Sequence, residues 1–92
     1  MRKTLFPLGQ LVATPGDVKA LERAHQSPQE FLGRHVSGDW GELGEFDRKE
    51  NEYGVVHGLR ILSSYHTAVG EKLWLITERD RSSTTLLLPE EY

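Results

Sequence analysis

The chain has 92 residues, 37% of them hydrophobic and 27% charged. That supplies a compact core and excludes a disordered composition. A net charge of −3 and a pI of about 5.8 give no global basis for the non-specific grip on phosphates that clustered basic residues provide. The absence of cysteine excludes disulfides, thiolate zinc sites and a cysteine nucleophile together.

In chain order, residues 8–13 form a short extended segment with Leu11 and Val12 as its apolar pair. Thr14 and Pro15 make a helix start, with threonine as N-cap and proline at the first helical position, where its missing N–H costs nothing. Asp17 suits the dipole of that first turn. Val18, Leu21 and Ala24 fall at helical spacing, so a first helix is expected over 15–25. Ser27-Pro28-Gln29-Glu30 is a capping box opening a second short helix, with Phe31, Leu32 and His35 or Val36 on its inner face. Gly38 is placed to end it in a left-handed cap.

Residues 37–45 are loop by composition, with glycines either side of Asp39 and Trp40. Asp47 then serves as N-cap of a third helix over 48–57 that stops at Gly58. Gly54 inside it costs roughly 1 kcal/mol relative to alanine. After Gly58 the hydrophobic period changes to two. Strands are expected over 60–65, 72–77 and 84–88, with Pro89 ending the last. Short connections make these an antiparallel meander. The fold class is α+β: two or three short N-terminal helices on a C-terminal three-stranded meander, with residues 8–13 offering a fourth strand, all in one domain.

No metal motif emerges from His25, His35, His57 and His66, which show no i, i+4 pair. No phosphate-binding glycine loop or nucleophile elbow is present. No cofactor is therefore expected. Asp39-Trp40 between glycines is expected to be a turn, with Trp40 plugging the core and Asp39 capping nearby amides. Asn51 shares a helix face with Asp47 and, pointing inward, would hold the Gly38–Gly41 loop. The densest polar segment is the hairpin loop from Glu78 to Ser83 and the threonines after it. Arg81 with Ser82 or Thr84 offers forked donors for a phosphate or carboxylate. The plainer alternative is a self-satisfied turn in which Asp80 bonds to Ser82.

The residues His35, Ser37-Gly38-Asp39-Trp40-Gly41, Asp47, Asn51-Glu52, Gly58, Arg60, Leu62-Ser63 and Tyr65 continue into Trp74, Ile76-Thr77-Glu78, Asp80-Arg81-Ser82, Thr84-Thr85 and Leu87-Leu88-Pro89. With the opening residues 5–16, this pattern resembles a group of small bacterial proteins labelled plasmid-related, some of them also labelled as a type I restriction endonuclease subunit. The chain departs from that pattern at Tyr53-Gly54-Val55-Val56, where a stronger helix former is expected. A chain of this length has no room for a methyltransferase domain, so the restriction label does not carry over. What the resemblance implies is an accessory protein of plasmids and integrated elements.

Two functions follow as expectations. The first is a non-catalytic interaction module whose partner is a protein. Its binding surface is Asp39, Trp40, Asn51, Glu78, Asp80, Arg81, Ser82 and Thr84, or else an exposed sheet edge. The second is a small metal-independent ribonuclease of barnase-like, RelE-like or colicin type. It would use His35 as acid or base, with Arg60, Tyr65, Thr77, Arg81 and Thr85. The net negative charge disfavours nucleic acid as a partner, and homodimerisation would help a small domain without covalent staples. No apolar run approaches the roughly 20 residues of a membrane span, and Met1-Arg2-Lys3 precede no long apolar stretch. The expected location is cytoplasmic.

Overall fold

The computed structural model describes residues 4–92 and is α+β. Strand β1 (Gln10–Ala13) is followed by helices α1 (Pro15–Ala24), α2 (Pro28–Val36) and α3 (Glu45–His57). Strands β2 (Ile61–His66), β3 (Lys72–Thr77) and β4 (Ser83–Leu87) then complete the chain with a 3-10 turn, Pro89–Glu91. The sheet order is β1-β4-β3-β2. The meander is antiparallel, pairing Ile61 with Thr77 and Trp74 with Leu87. β1 joins as a fourth strand parallel to β4, with Gln10 opposite Ser83 and Ala13 opposite Leu86. Both doubly apolar strands, β3 and β4, are interior.

The helix starts follow from local chemistry. Thr14 accepts from the Asp17 amide, with Pro15 in the first turn. Ser27 accepts from the Gln29 amide, with Pro28 in the first turn. The expected capping box is not reciprocal, because the Glu30 carboxylate takes the Gln26 side-chain amide instead. α3 begins earlier than expected, on Gly44 as N-cap rather than Asp47. Gly54 fits its place, since a Cβ there would stand 3.0 Å from the Ile61 Cδ1. Compact packing of α3 on β2 offsets its poor helix propensity.

Helices α1 and α2 cover one sheet face. Ala20, Leu21, Phe31 and Leu32 pack on Tyr65, Leu73, Leu75 and Leu86, each large side chain contributing about 1.5–3 kcal/mol by its burial. A second cluster joins Phe6, Trp40 and Ile61. Trp74 points to the other face, where it is half-buried and meets Tyr92 edge-on at 5.9 Å. The helix α1 departs from its expected pattern. Its buried residues are Asp17, Ala20, Leu21 and Ala24, whereas Val18 is 46% exposed.

Candidate functional site

The hairpin's backbone and Asp80 are bonded within the turn, and Arg81 also reaches outside it. Glu78 and Ser83 close it at 3.0 Å, Arg81 N–H donates to the Glu78 carbonyl at 2.9 Å, and the Ser82 amide donates to Asp80 Oδ1 at 3.0 Å. That bonding to Ser82 holds the Asp80 carboxyl below its usual range. Arg81 takes a left-handed backbone, φ 61, which directs its guanidinium onto the carbonyls of Leu59 at 2.6 Å and Gly54 at 2.9 Å. It thereby caps the last turn of α3 and lies over the Phe6 ring. The expected binding surface groups the hairpin with the Asp39–Trp40 loop; Arg81 instead turns to the end of α3.

His35 is fully buried in a chain of hydroxyls. Thr84 donates to the Leu8 carbonyl at 2.8 Å, so in the 2.7 Å contact between Thr77 and Thr84 it is Thr77 that donates. Thr77 must then accept from His35 Nε2–H at 2.9 Å, leaving Nδ1 to accept from Ser63. Every partner is satisfied with His35 neutral. Burial, with the Arg81 charge as a second cause, lowers its pKa to about 3.

The sheet itself divides the residues expected of a ribonuclease. His35, Tyr65 and Thr77 are buried on the helix side. Arg60 and Thr85 line a cavity with Ile76, Leu87 and Tyr92 on the opposite face, where Arg60 donates to the Tyr92 hydroxyl at 2.8 Å. Tyr65 O–H donates to the Asp39 carbonyl at 2.6 Å. Asp39 pairs with Arg34 at 2.7 Å and accepts from the Gly41 amide at 3.2 Å, while Trp40 fills the core beside Phe6. That hydrogen bond to Asp39 raises the Arg34 pKa. Thr84 belongs to the buried hydroxyl chain, Glu78 lines the cavity with Arg60 and Tyr92, and Asp80 and Ser82 bond to each other at the hairpin tip.

The two sheet edges differ sharply. Along β2 the edge is covered. Asn51 Nδ2 donates to the Leu62 carbonyl at 2.6 Å and its Oδ1 accepts from the Leu62 amide at 3.1 Å. It was expected to hold the Gly38–Gly41 loop; it brackets a strand instead. Further along, Ser64 bonds the Trp40 carbonyl at 3.1 Å and the Glu42 amide at 2.7 Å. Gly41 sits between them at φ +76, where a Cβ would stand 2.0 Å from the Ser64 carbonyl oxygen. Only glycine allows this approach.

Along β1 the edge is open. Gln10 and Thr14 give their amides to the carbonyls of Ser82 and Leu86, at 2.9 and 3.0 Å. Alternate residues of a parallel strand face the same neighbour, so Leu11 and Ala13 turn their amides and carbonyls outward. No described strand lies beyond β1, and all four of its residues are exposed. They carry no charge and no proline, the devices that usually blunt an edge. Leu11 is 49% and Val12 43% exposed.

A cavity of about 430 Å³ opens at the end of this strand, between Ala13 of β1, helix α1 and the α1–α2 turn. Ala13, Val18, Leu21 and Pro28 form its apolar wall; Asp17, Glu22, His25 and Gln26 are its polar members. Asp17 is 0% exposed, and neither carboxylate oxygen has a hydrogen-bond partner among the described residues. Burial, then the nearby Glu91 charge, raises its pKa to about 6. Glu91 has its own duties, accepting from the amides of Gly16 and Leu88 at 2.9 Å. The largest apolar exposures elsewhere are Phe46 and Val56, at 75% and 77%, on the outer side of α3 among Glu45, Lys49 and Glu52. Among the described residues, no group of three His, Asp or Glu side chains is placed to hold a metal ion, and no helix is long and apolar enough to cross a membrane.

Asp17 escaped the sequence reading because an acid in a first helical turn is ordinarily a dipole partner. The available signal was the spacing of Asp17 with Ala20, Leu21 and Ala24, a better inward stripe than one through Val18. Comparison with protein-family models, with curated proteins and with solved structures finds no match for this chain.

Proposed function

We propose that the protein is a non-catalytic interaction module that binds an extended segment of a partner protein by adding it as a strand beside β1. The observation that supports this reading is the asymmetry of the edges. One is covered by Asn51 and the Trp40–Glu42 segment, while the other offers uncharged, exposed backbone. Strand addition draws affinity from main-chain hydrogen bonds and needs no catalytic group. Such a role suits the plasmid-borne accessory protein that the family resemblance implies. The ribonuclease reading has less in its favour, since a general acid or base must reach its substrate and His35 is fully buried.

The test is a titration of 15N-labelled protein with an acetylated peptide of alternating threonine and valine carrying a central lysine. Strand addition shifts and protects the amides of Leu11 and Ala13 first. A peptide N-methylated on the pairing edge should not bind. Leu11→Pro removes an outward N–H while sparing the β4 ladder, and should abolish binding in a folded protein. Shifts centred elsewhere, or binding unaffected by both changes, would overturn the reading.

A further inference from the structure

We infer that the cavity between β1 and α1 is the specificity pocket of this strand-addition site, and that it takes a long basic side chain of the lysine type from the added segment. The inference rests on the strand-addition reading and deepens it.

The placement follows from register. Ala13 pairs with Leu86, whose side chain lies in the core under the helices, so Ala13 points to the helix side of the sheet. A strand added next to β1 sends alternate side chains to that same side. One of them lies beside Ala13, which is itself part of the cavity wall. The β1 edge and the cavity are therefore two parts of one surface.

The chemistry follows from the lining. A lysine stem has four methylenes to set against Ala13, Val18, Leu21 and Pro28, and an ammonium with three donors for the carboxylates. Two carboxylates, Asp17 and Glu22, belong to that lining, and no lysine or arginine does. Asp17 is the sharper signal. A buried carboxylate without a donor is costly, and native proteins rarely leave one so. Here both oxygens lack a partner, although the same turn of helix presents Val18 to solvent. Asp17 belongs to the cavity lining with both oxygens unpartnered, so an ammonium seated there supplies the donors they lack. The volume, about 430 Å³, lies within the roughly 300–1,000 Å³ typical of ligand sites.

The experiment uses the full chain and three peptides of the same alternating sequence with central lysine, norleucine or glutamate, followed by fluorescence polarisation. The lysine peptide should bind at least about tenfold tighter than either of the others. Asp17→Asn, nearly isosteric, should bring lysine and norleucine to within about twofold, and Glu22→Gln should narrow the gap partway. A lysine peptide labelled at the ε-carbon should show contacts to Val18 and Pro28. Equal binding of lysine and norleucine, with all binding lost in Leu11→Pro, would overturn the pocket and leave strand addition standing. A lysine preference undiminished in Asp17→Asn would also overturn it. A β1-to-β1 homodimer that excludes every peptide would overturn both readings.

Discussion

The Asn51 side chain imitates a neighbouring strand for Leu62, donating to its carbonyl at 2.6 Å and accepting from its amide at 3.1 Å. One amide group thus satisfies both outward-facing polar atoms of that residue. Asn51→Ala leaves them to find solvent at a partly buried edge, and should cost about 2–3 kcal/mol. Urea unfolding measures the loss, and hydrogen exchange should show it concentrated at the Leu62 amide. Asn51→Asp keeps an acceptor for the amide but sets a carboxylate against the Leu62 carbonyl. It should not rescue stability at neutral pH.

His35 should be neutral throughout the physiological range, with its proton on Nε2. The direction of the hydroxyl chain requires that tautomer. Its folded pKa of about 3 lies below the unfolded value of about 6.5. Between the two the unfolded chain binds a proton that the folded chain refuses. Stability from this residue is complete above about pH 6.5 and declines as pH falls, by about 1.4 kcal/mol per unit. The 15N shifts of the ring should stay constant down to pH 5, and His35→Phe should remove this slope from the urea midpoint. A ring titrating near 6.5, or protonated on Nδ1, would contradict the assigned chain.

Arg81 locks the hairpin onto α3. Its guanidinium holds the Gly54 and Leu59 carbonyls, and its own backbone is left-handed. Truncation should cost about 1–2 kcal/mol through the lost charge-assisted hydrogen bonds. Glycine accepts a left-handed backbone without the ~1 kcal/mol steric cost that alanine meets. Arg81→Gly should therefore be more stable than Arg81→Ala, the reverse of their order in a helix. Exchange at the Gly58 and Leu59 amides should rise in both.

The sheet was legible where pairing is local. The alternation through Ile61, Leu73 and Leu75 marks the strands, and the short hairpins leave few ways to join them. The partner of β1 was not legible, because Gln10 meets Ser83 across most of the chain and no local pattern encodes that contact. The hairpin looked functional because arginine, aspartate and hydroxyls are concentrated there. Composition cannot show that Arg81 bonds the end of α3 and Asp80 its own turn. His35 was singled out as chemistry, yet the threonines that make it structural, Thr77 and Thr84, come from two other strands. Asn51 does face inward, but its partner is Leu62 rather than the Gly38–Gly41 loop. In each case the residue type carried information and the long-range partner decided its use.

Asp17 should make the free protein less stable than it could be. Its folded pKa of about 6 lies above the unfolded value of about 3.9, so between them the folded state binds the extra proton. The penalty is complete above about pH 6 and is relieved as pH falls toward 4. Two units correspond to roughly 3 kcal/mol, offset in part by the ~0.3–1 kcal/mol that a first-turn carboxylate gains from the helix dipole. Asp17→Asn should therefore unfold at higher urea at about pH 7.5, by about 2 kcal/mol, and lose that advantage near pH 4. The slope opposes that of His35 over the same window, so the wild type alone shows little of either; the difference between variant and wild type isolates it. A variant no more stable at neutral pH would mean that the carboxylate has found a donor. A gain that persists at pH 4 would trace it to packing rather than charge. If the gain appears and the same variant loses its preference for the lysine peptide, stability has been given up at Asp17 for recognition.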